Sequence, residues 1–128
     1  MLRILVVEDS PVNMALTVAI LENAGHTILQ AEHALVGMEI ARSEPLDLVL
    51  MDIQLPDIDG LAATRMLKAD ARTANLPVIA LTAFAMKGDE DETRAAGCDG
   101  YVTKPIRYKE FLAEVEAVMK RRAAGVSR

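Results

Sequence analysis

Apolar residues fall along this chain in two rhythms. Short continuous runs alternate with stretches in which apolar positions return every three or four residues. The first rhythm predicts buried strands and the second predicts helices packed on one face. Strands are expected at Arg3–Val7, Thr27–Ala31, Leu46–Met51, Leu76–Leu81 and Gly100–Thr103. Helices are expected after each. The first opens at Ser10-Pro11, carries Met14, Val18, Leu21 and Ala24 on its apolar face and stops at Gly25. The second carries Leu35, Met38, Ile40 and Ala41 and ends before Pro45. The third spans Gly60–Asp70 with Leu61, Ala62, Met66 and Leu67, and the fourth runs from about Met86 to Ala96. The last covers Arg107–Arg122, with Phe111, Leu112, Val115, Val118 and Met119 at helical spacing.

Strict alternation of strand and helix implies a parallel sheet covered on both faces, with right-handed crossovers. The expected fold class is therefore α/β, a doubly wound five-stranded parallel sheet of flavodoxin/CheY-like order 2-1-3-4-5 with five helices. In that order strands one and three are neighbours. Functional groups in such sheets gather beyond the carboxyl ends of the strands. Those ends carry Glu8-Asp9 on strand one and Asp52 on strand three.

Composition narrows the picture. The 128 residues make one domain of ordinary size, with residues 1–122 as its body and 123–128 as a flexible tail. Aromatic residues are 3% and Trp is absent, so the core must rest on Leu, Val, Ile, Ala and Met, with the methionines other than Met1 as packing residues. A net charge of −5 argues against nucleic acid as the main partner. The basic cluster Lys120-Arg121-Arg122, with Arg128, reads as favourable charge at the end of the last helix. No apolar run approaches a membrane span and none resembles an export signal. With one cysteine, Cys98, in a turn setting, a disulfide framework is excluded, and the cytoplasm is the expected location. His26 and His33 stand in turn-like settings and read as surface residues.

The chemistry follows from what the strand ends bring together. Glu8, Asp9 and Asp52 would repel one another, and a hard divalent cation such as Mg²⁺ relieves that repulsion. Strand four contributes the hydroxyl of Thr82 and strand five the ammonium of Lys104. This set suits a carboxylate nucleophile that accepts a phosphoryl group while cation, hydroxyl and lysine neutralise its oxygens. Taken singly, each residue has a plainer reading: a polar strand exit for Glu8-Asp9, a turn residue for Thr82, a solvated lysine for Lys104. Only the combination favours chemistry.

Glu8-Asp9, Met51-Asp52 with Pro56 and Asp59-Gly60, Leu81-Thr82-Ala83, and Tyr101 three residues before Lys104-Pro105 together resemble the receiver domains of two-component response regulators. The resemblance spans nearly the whole chain. It implies that Asp52 is the phosphoacceptor and that Asp9 and Asp52 bind Mg²⁺ directly. Glu8 would act through metal-bound water, and the carbonyl of Gln54 would complete the metal ligands. Thr82 and Lys104 would contact the phosphoryl group, and Tyr101 would be the aromatic that rotates with Thr82 on activation. A cis peptide before Pro105 is also implied. Asn13 and the segment Thr82–Asp89 are similar to stand-alone cell-cycle receivers and to receivers of hybrid histidine kinases. Two positions depart from the pattern: His33-Ala34, where an Asn-Gly-type opening is common, and Arg107, where a capping residue is common.

The function these readings imply is a single-domain response regulator. Its phosphoryl group would come from a sensor histidine kinase or a phosphotransfer protein. A downstream protein target would be met through helix four, strand five and helix five, with no nucleic acid and no membrane insertion. It would be a switch, assisting its own phosphorylation and dephosphorylation, rather than an enzyme. Phosphorylation-dependent dimerisation stays open, as does whether the acidic face of helix four (Asp89, Glu90, Asp91, Glu92) is solvated or part of the output surface. Gln54 and Phe84 stand where they would tune water access to a phosphoryl group. The alternative is the receiver segment of a hybrid histidine kinase. A dehalogenase-like phosphatase would want a second Asp where Gln54 stands, and a flavin-binding module would need a phosphate loop where Glu8-Asp9 stands.

Overall fold

The computed structural model describes residues 1–83 and 87–125, the side chains of residues 87–89 excepted. The elements alternate without interruption: β1 (Arg3–Val7), α1 (Pro11–Asn23), β2 (Thr27–Ala31), α2 (Ala34–Ser43), β3 (Leu48–Asp52), α3 (Gly60–Ala69), β4 (Val78–Thr82), α4 (Lys87–Ala95), β5 (Gly100–Thr103) and α5 (Tyr108–Ala123). All strand pairs are parallel, and the sheet order is β2-β1-β3-β4-β5, as the alternation implies. Every residue of β3 and β4 is buried, which explains their unbroken apolar sequence.

Two apolar layers sandwich the sheet. One gathers Leu5, Val7, Val49, Met51 and Val78 against Met38, Leu61 and Leu67, and the other gathers Ile4, Val6, Leu50, Ile79 and Leu81 against Leu21, Phe111 and Val115. Alternate strand residues therefore serve opposite faces. β3 and β4 each begin two residues later than the apolar runs predict. Asp47 is taken up by Arg3, whose backbone N–H donates to Asp47 Oδ2 at 2.8 Å, and Leu76 N–H closes a turn onto Thr73 O at 3.0 Å.

Some expected packing residues lie outside the core. Leu35 is 53% and Met66 44% exposed, because α2 and α3 seat smaller residues against the sheet: Ala34, Gly37 and Ala41 in one, Gly60, Ala63 and Thr64 in the other. Gly37 shows why. A Cβ built there would lie 2.7 Å from Val7 Cγ2, so only glycine lets α2 approach β1 this closely. His26 is half-buried rather than a plain surface residue, and its Nδ1 accepts a hydrogen bond from Leu2 N–H at 3.1 Å. Cys98 is buried.

The C-terminal basic residues do more than balance the helix end. Arg121 donates to the carbonyl of Asp99 at 2.9 Å, and Arg122 pairs with the Asp99 carboxylate and reaches the carbonyl of Asn75. At the edge of the sheet, Tyr101 N–H donates to Glu114 Oε2 of α5 at 3.0 Å. The expectations for Phe84, for the start of helix four at Met86 and for Arg128 lie outside the described residues.

Candidate functional site

The site stands at the carboxyl ends of β1, β3, β4 and β5. Glu8 follows β1 directly, and its backbone N–H is held by Ala31 O of β2 at 3.0 Å. Its side chain is only 1% exposed, whereas neighbouring Asp9 faces solvent. Asp52 is the last residue of β3 and is 3% exposed. Carboxylate oxygens of Glu8, Asp9 and Asp52 all lie within 4.8 Å of one another. The fold thus brings Asp52 to a pair of acids more than forty positions earlier in the sequence.

Lys104 enters this cluster from just beyond β5. Its backbone N–H donates to Thr82 O at 2.6 Å, tying the ends of β4 and β5, and the Lys104–Pro105 peptide is cis. Its Nζ donates to Glu8 Oε1 and Oε2 at 3.1 and 3.0 Å and to Asp52 Oδ2 at 3.0 Å. The other Asp52 oxygen, Oδ1, accepts from Gln54 N–H at 3.0 Å. Glu8 therefore engages Lys104 directly, a pairing that the sequence reading had not anticipated.

The charges in this cluster are out of balance. Burial, and then the hydrogen bond shared with Asp52, push the Glu8 carboxyl up to about 7 against the pull of Lys104. Burial works against the charge of Lys104, but its bonds to Glu8 and Asp52 prevail and raise its pKa. One ammonium thus serves buried carboxylates that would otherwise face each other unneutralised.

Gly60 fixes the floor of the site. Asp59 caps α3 by accepting from Leu61 N–H at 2.8 Å, and Gly60 N–H donates to Ile53 O at 2.8 Å. A Cβ on Gly60 would lie 2.0 Å from the carbonyl oxygen of Asp52, so α3 can start here only with glycine. Above the floor a cleft of about 630 Å³ is lined by Asp9, Gln54, Pro56, Asp59 and Glu92. Thr82 ends β4 and is 1% exposed. Tyr101 is half-buried in β5 and lines a small pocket with Arg107, Glu110 and Glu114.

The donor set fits a hard cation. Carboxylate oxygens, one of them solvent-facing, converge at a spacing that one ion spans, beside an open cleft with room for its water. Among known proteins, the model of the response regulator receiver domain matches residues 4–116. The chain belongs to this family. The polar-differentiation response regulator DivK of Brucella anthropi is 40% identical, covering 91% of this chain and 94% of its own length. DivK of Brucella ovis matches to the same extent. The receiver domain of a sensor histidine kinase from Pseudomonas aeruginosa is 33% identical with a TM-score of 0.85. That match covers 93% of this chain and 98% of the other, and that structure holds a magnesium ion in its active site cleft. A putative response regulator from Chloroflexus aurantiacus shares the fold at a TM-score of 0.89 and 23% identity, covering 94% and 98% of the two chains. In this receiver, then, the acidic cluster occupies the place that fits a phosphoacceptor site, and it could hold a metal ion.

Sequence reasoning located Glu8, Asp9, Asp52, Thr82 and Lys104 at adjoining strand ends. It missed Asp57, whose carboxylate accepts from two backbone amides of α2. No spacing or motif links Asp57 to α2, and only the folded chain shows the contact. The close approach at Gly60 did have a signal, the Asp-Gly step before a helical pattern.

Proposed function

We propose that the chain is a phosphoacceptor switch in which Asp52 takes a phosphoryl group from a histidine kinase or phosphotransfer protein with Mg²⁺ bound. The observation that carries this reading is Lys104 Nζ held 3.0 Å from Asp52 Oδ2 inside a cluster of three carboxylates. An Asp52 oxygen forms a bond to phosphorus as the donor's bond to phosphorus breaks and its imidazole leaves. Asp9, Asp52 and the Gln54 carbonyl would hold the metal, with Glu8 acting through water. Bound there, Mg²⁺ supplies charge neutralisation for the attacking carboxylate and the incoming oxygens. Lys104 would move from the carboxylates to the phosphoryl oxygens, joined by Thr82, and Tyr101 would report the change to the surface of α4, β5 and α5.

The same reading makes the chain a switch that signals by protein contact rather than an enzyme with a separate substrate. It places the chain in the cytoplasm beside its phosphodonor. Among the described residues no helix is long and apolar enough to cross a membrane. The similarity to DivK favours a single-domain regulator over a receiver segment of a hybrid kinase. The test is intact mass after incubation with acetyl phosphate and with a phosphorylated phosphotransfer domain, each with and without Mg²⁺. A Mg²⁺-dependent gain of one phosphoryl group, absent in Asp52→Asn, is expected. A gain that survives Asp52→Asn, or none from either donor, would overturn the assignment.

A further inference from the structure

α2 opens without a cap of its own. His33 takes the extended backbone of an N-cap, φ −137° and ψ 154°, yet its side chain makes no capping bond. By contrast Ser10 caps α1 and Asp59 caps α3 from the usual position. The first amides of α2 nevertheless have partners. Ala34 N–H donates to Asp57 Oδ1 and Leu35 N–H to Asp57 Oδ2, both at 2.9 Å. The cap comes from the loop between β3 and α3, the loop that carries Gln54.

Leu55 and Ile58 of that loop pack against the core, and its other hydrogen bonds lie near its ends. Ile53 N–H donates to Leu81 O at 3.0 Å and Gln54 N–H to Asp52 Oδ1 at 3.0 Å, while Gly60 N–H turns back to Ile53 O. Among the described residues from Leu55 to Ile58, Asp57 alone hydrogen-bonds to another element. The element it grips is firmly seated. Ala34 and Met38 are buried, Gly37 lies against Val7 of β1, and Glu8 N–H is bonded to Ala31 just before α2. Asp57 itself is exposed, so it contributes nothing to the core. Desolvation would raise its carboxyl, but the amides of Leu35, Ala34 and Ile58 outweigh that and hold it at about 2.

We infer that Asp57 is a positioning residue: by gripping the amino end of α2 it holds the Gln54 segment at a fixed place beside Glu8, Asp9 and Asp52. Glu8 and Asp9 follow β1, on which α2 packs through Gly37, the loop after β3 carries Gln54, and the Asp57 carboxylate ties that loop to α2. The consequence for metal binding rests on the proposed role of the Gln54 carbonyl as a ligand. The tether itself does not.

Capping and tethering can be separated. Asp57→Ala removes both. Adding His33→Ser returns a local hydroxyl cap to α2 but not the link to the loop. The experiment compares the wild type, Asp57→Ala and the double variant by thermal melting, by hydrogen exchange of residues 53–59 in Mg²⁺-free protein, and by Mg²⁺ titration calorimetry. Asp57→Ala is expected to melt lower. The double variant should regain the melting temperature while exchange across 53–59 stays about tenfold faster than wild type. Its Mg²⁺ affinity should stay about tenfold weaker, as for other residues that orient metal ligands. Wild-type exchange in the double variant would show that Asp57 only caps α2 and would overturn the inference. Should the wild type take up no Mg²⁺, the metal reading fails, and the exchange result still decides the tether.

Discussion

The two ends of the sheet are built from the same materials and end differently. At the amino end, Asp99 is 8% exposed and fully engaged. It accepts from Val78 N–H at 2.9 Å, Lys68 Nζ at 3.0 Å and Arg122 Nη1 at 3.3 Å. Lys68 goes on to the carbonyl of Leu76 at 2.7 Å. One carboxylate there has two cations and an amide. At the carboxyl end, Lys104 is the one cation among the described residues that pairs with the buried Glu8 and Asp52, while Asp9 faces solvent beside them. A closed network of this kind holds a fold together, because each buried polar group has its partner. A buried surplus of one charge costs stability and creates a demand for another cation. What separates the structural knot from the functional site is stoichiometry, not the kinds of residue.

That contrast breaks most visibly at the amino end. Asp99→Ala leaves the Val78 amide without its acceptor and Lys68 and Arg122 without their carboxylate, and urea unfolding should show a loss of about 4 kcal/mol. The carboxyl end should show the opposite sensitivity, to pH. The Glu8 carboxyl lies near 4.5 when unfolded and is pushed up to about 7 in the folded protein. The folded state therefore binds its proton more tightly. The stability this confers is complete below the unfolded value and is lost as pH rises from about 4.5 through 7, amounting to about 3 kcal/mol. Urea unfolding of Mg²⁺-free protein at pH 5 and pH 8 measures it, and Glu8→Gln should remove most of the difference. The smallest effect concerns a buried group with no charge. Thr17 Oγ1 has no hydrogen-bond partner among the described residues. Thr17→Val keeps the branched shape, deletes the orphaned hydroxyl and should raise stability by about 1 kcal/mol in the same assay.

The alternation of apolar runs and helical spacing was enough to order the strands, because parallel strands buried on both faces leave an unbroken apolar signature, as β3 does. The strand order then puts Glu8, Asp9 and Asp52 together, because strands one and three are neighbours in it. What resisted reading was contact between elements. Leu35 and Met66 fit an apolar periodicity, yet Gly37 and Ala63 bring their helices so close to the sheet that the larger side chains turn outward. The direct bond from Lys104 to Glu8 and the reach of Asp57 to α2 depend on side-chain geometry across the folded chain. No local pattern encodes either.

The bond from Tyr101 N–H to Glu114 decides how the outer edge of β5 can be recognised. An edge strand normally offers its free amides to any extended segment that would lengthen the sheet. Here an acid from the chain's own last helix already occupies one of those amides. Gly100, beside it, has no room for a side chain, since a Cβ there would meet Val118 and Glu114. A visiting strand would have to evict Glu114 before it could pair with this amide. Partners that come to this edge must read its side chains rather than its backbone, and copies of the protein meeting edge to edge are kept from zipping into a continuous sheet.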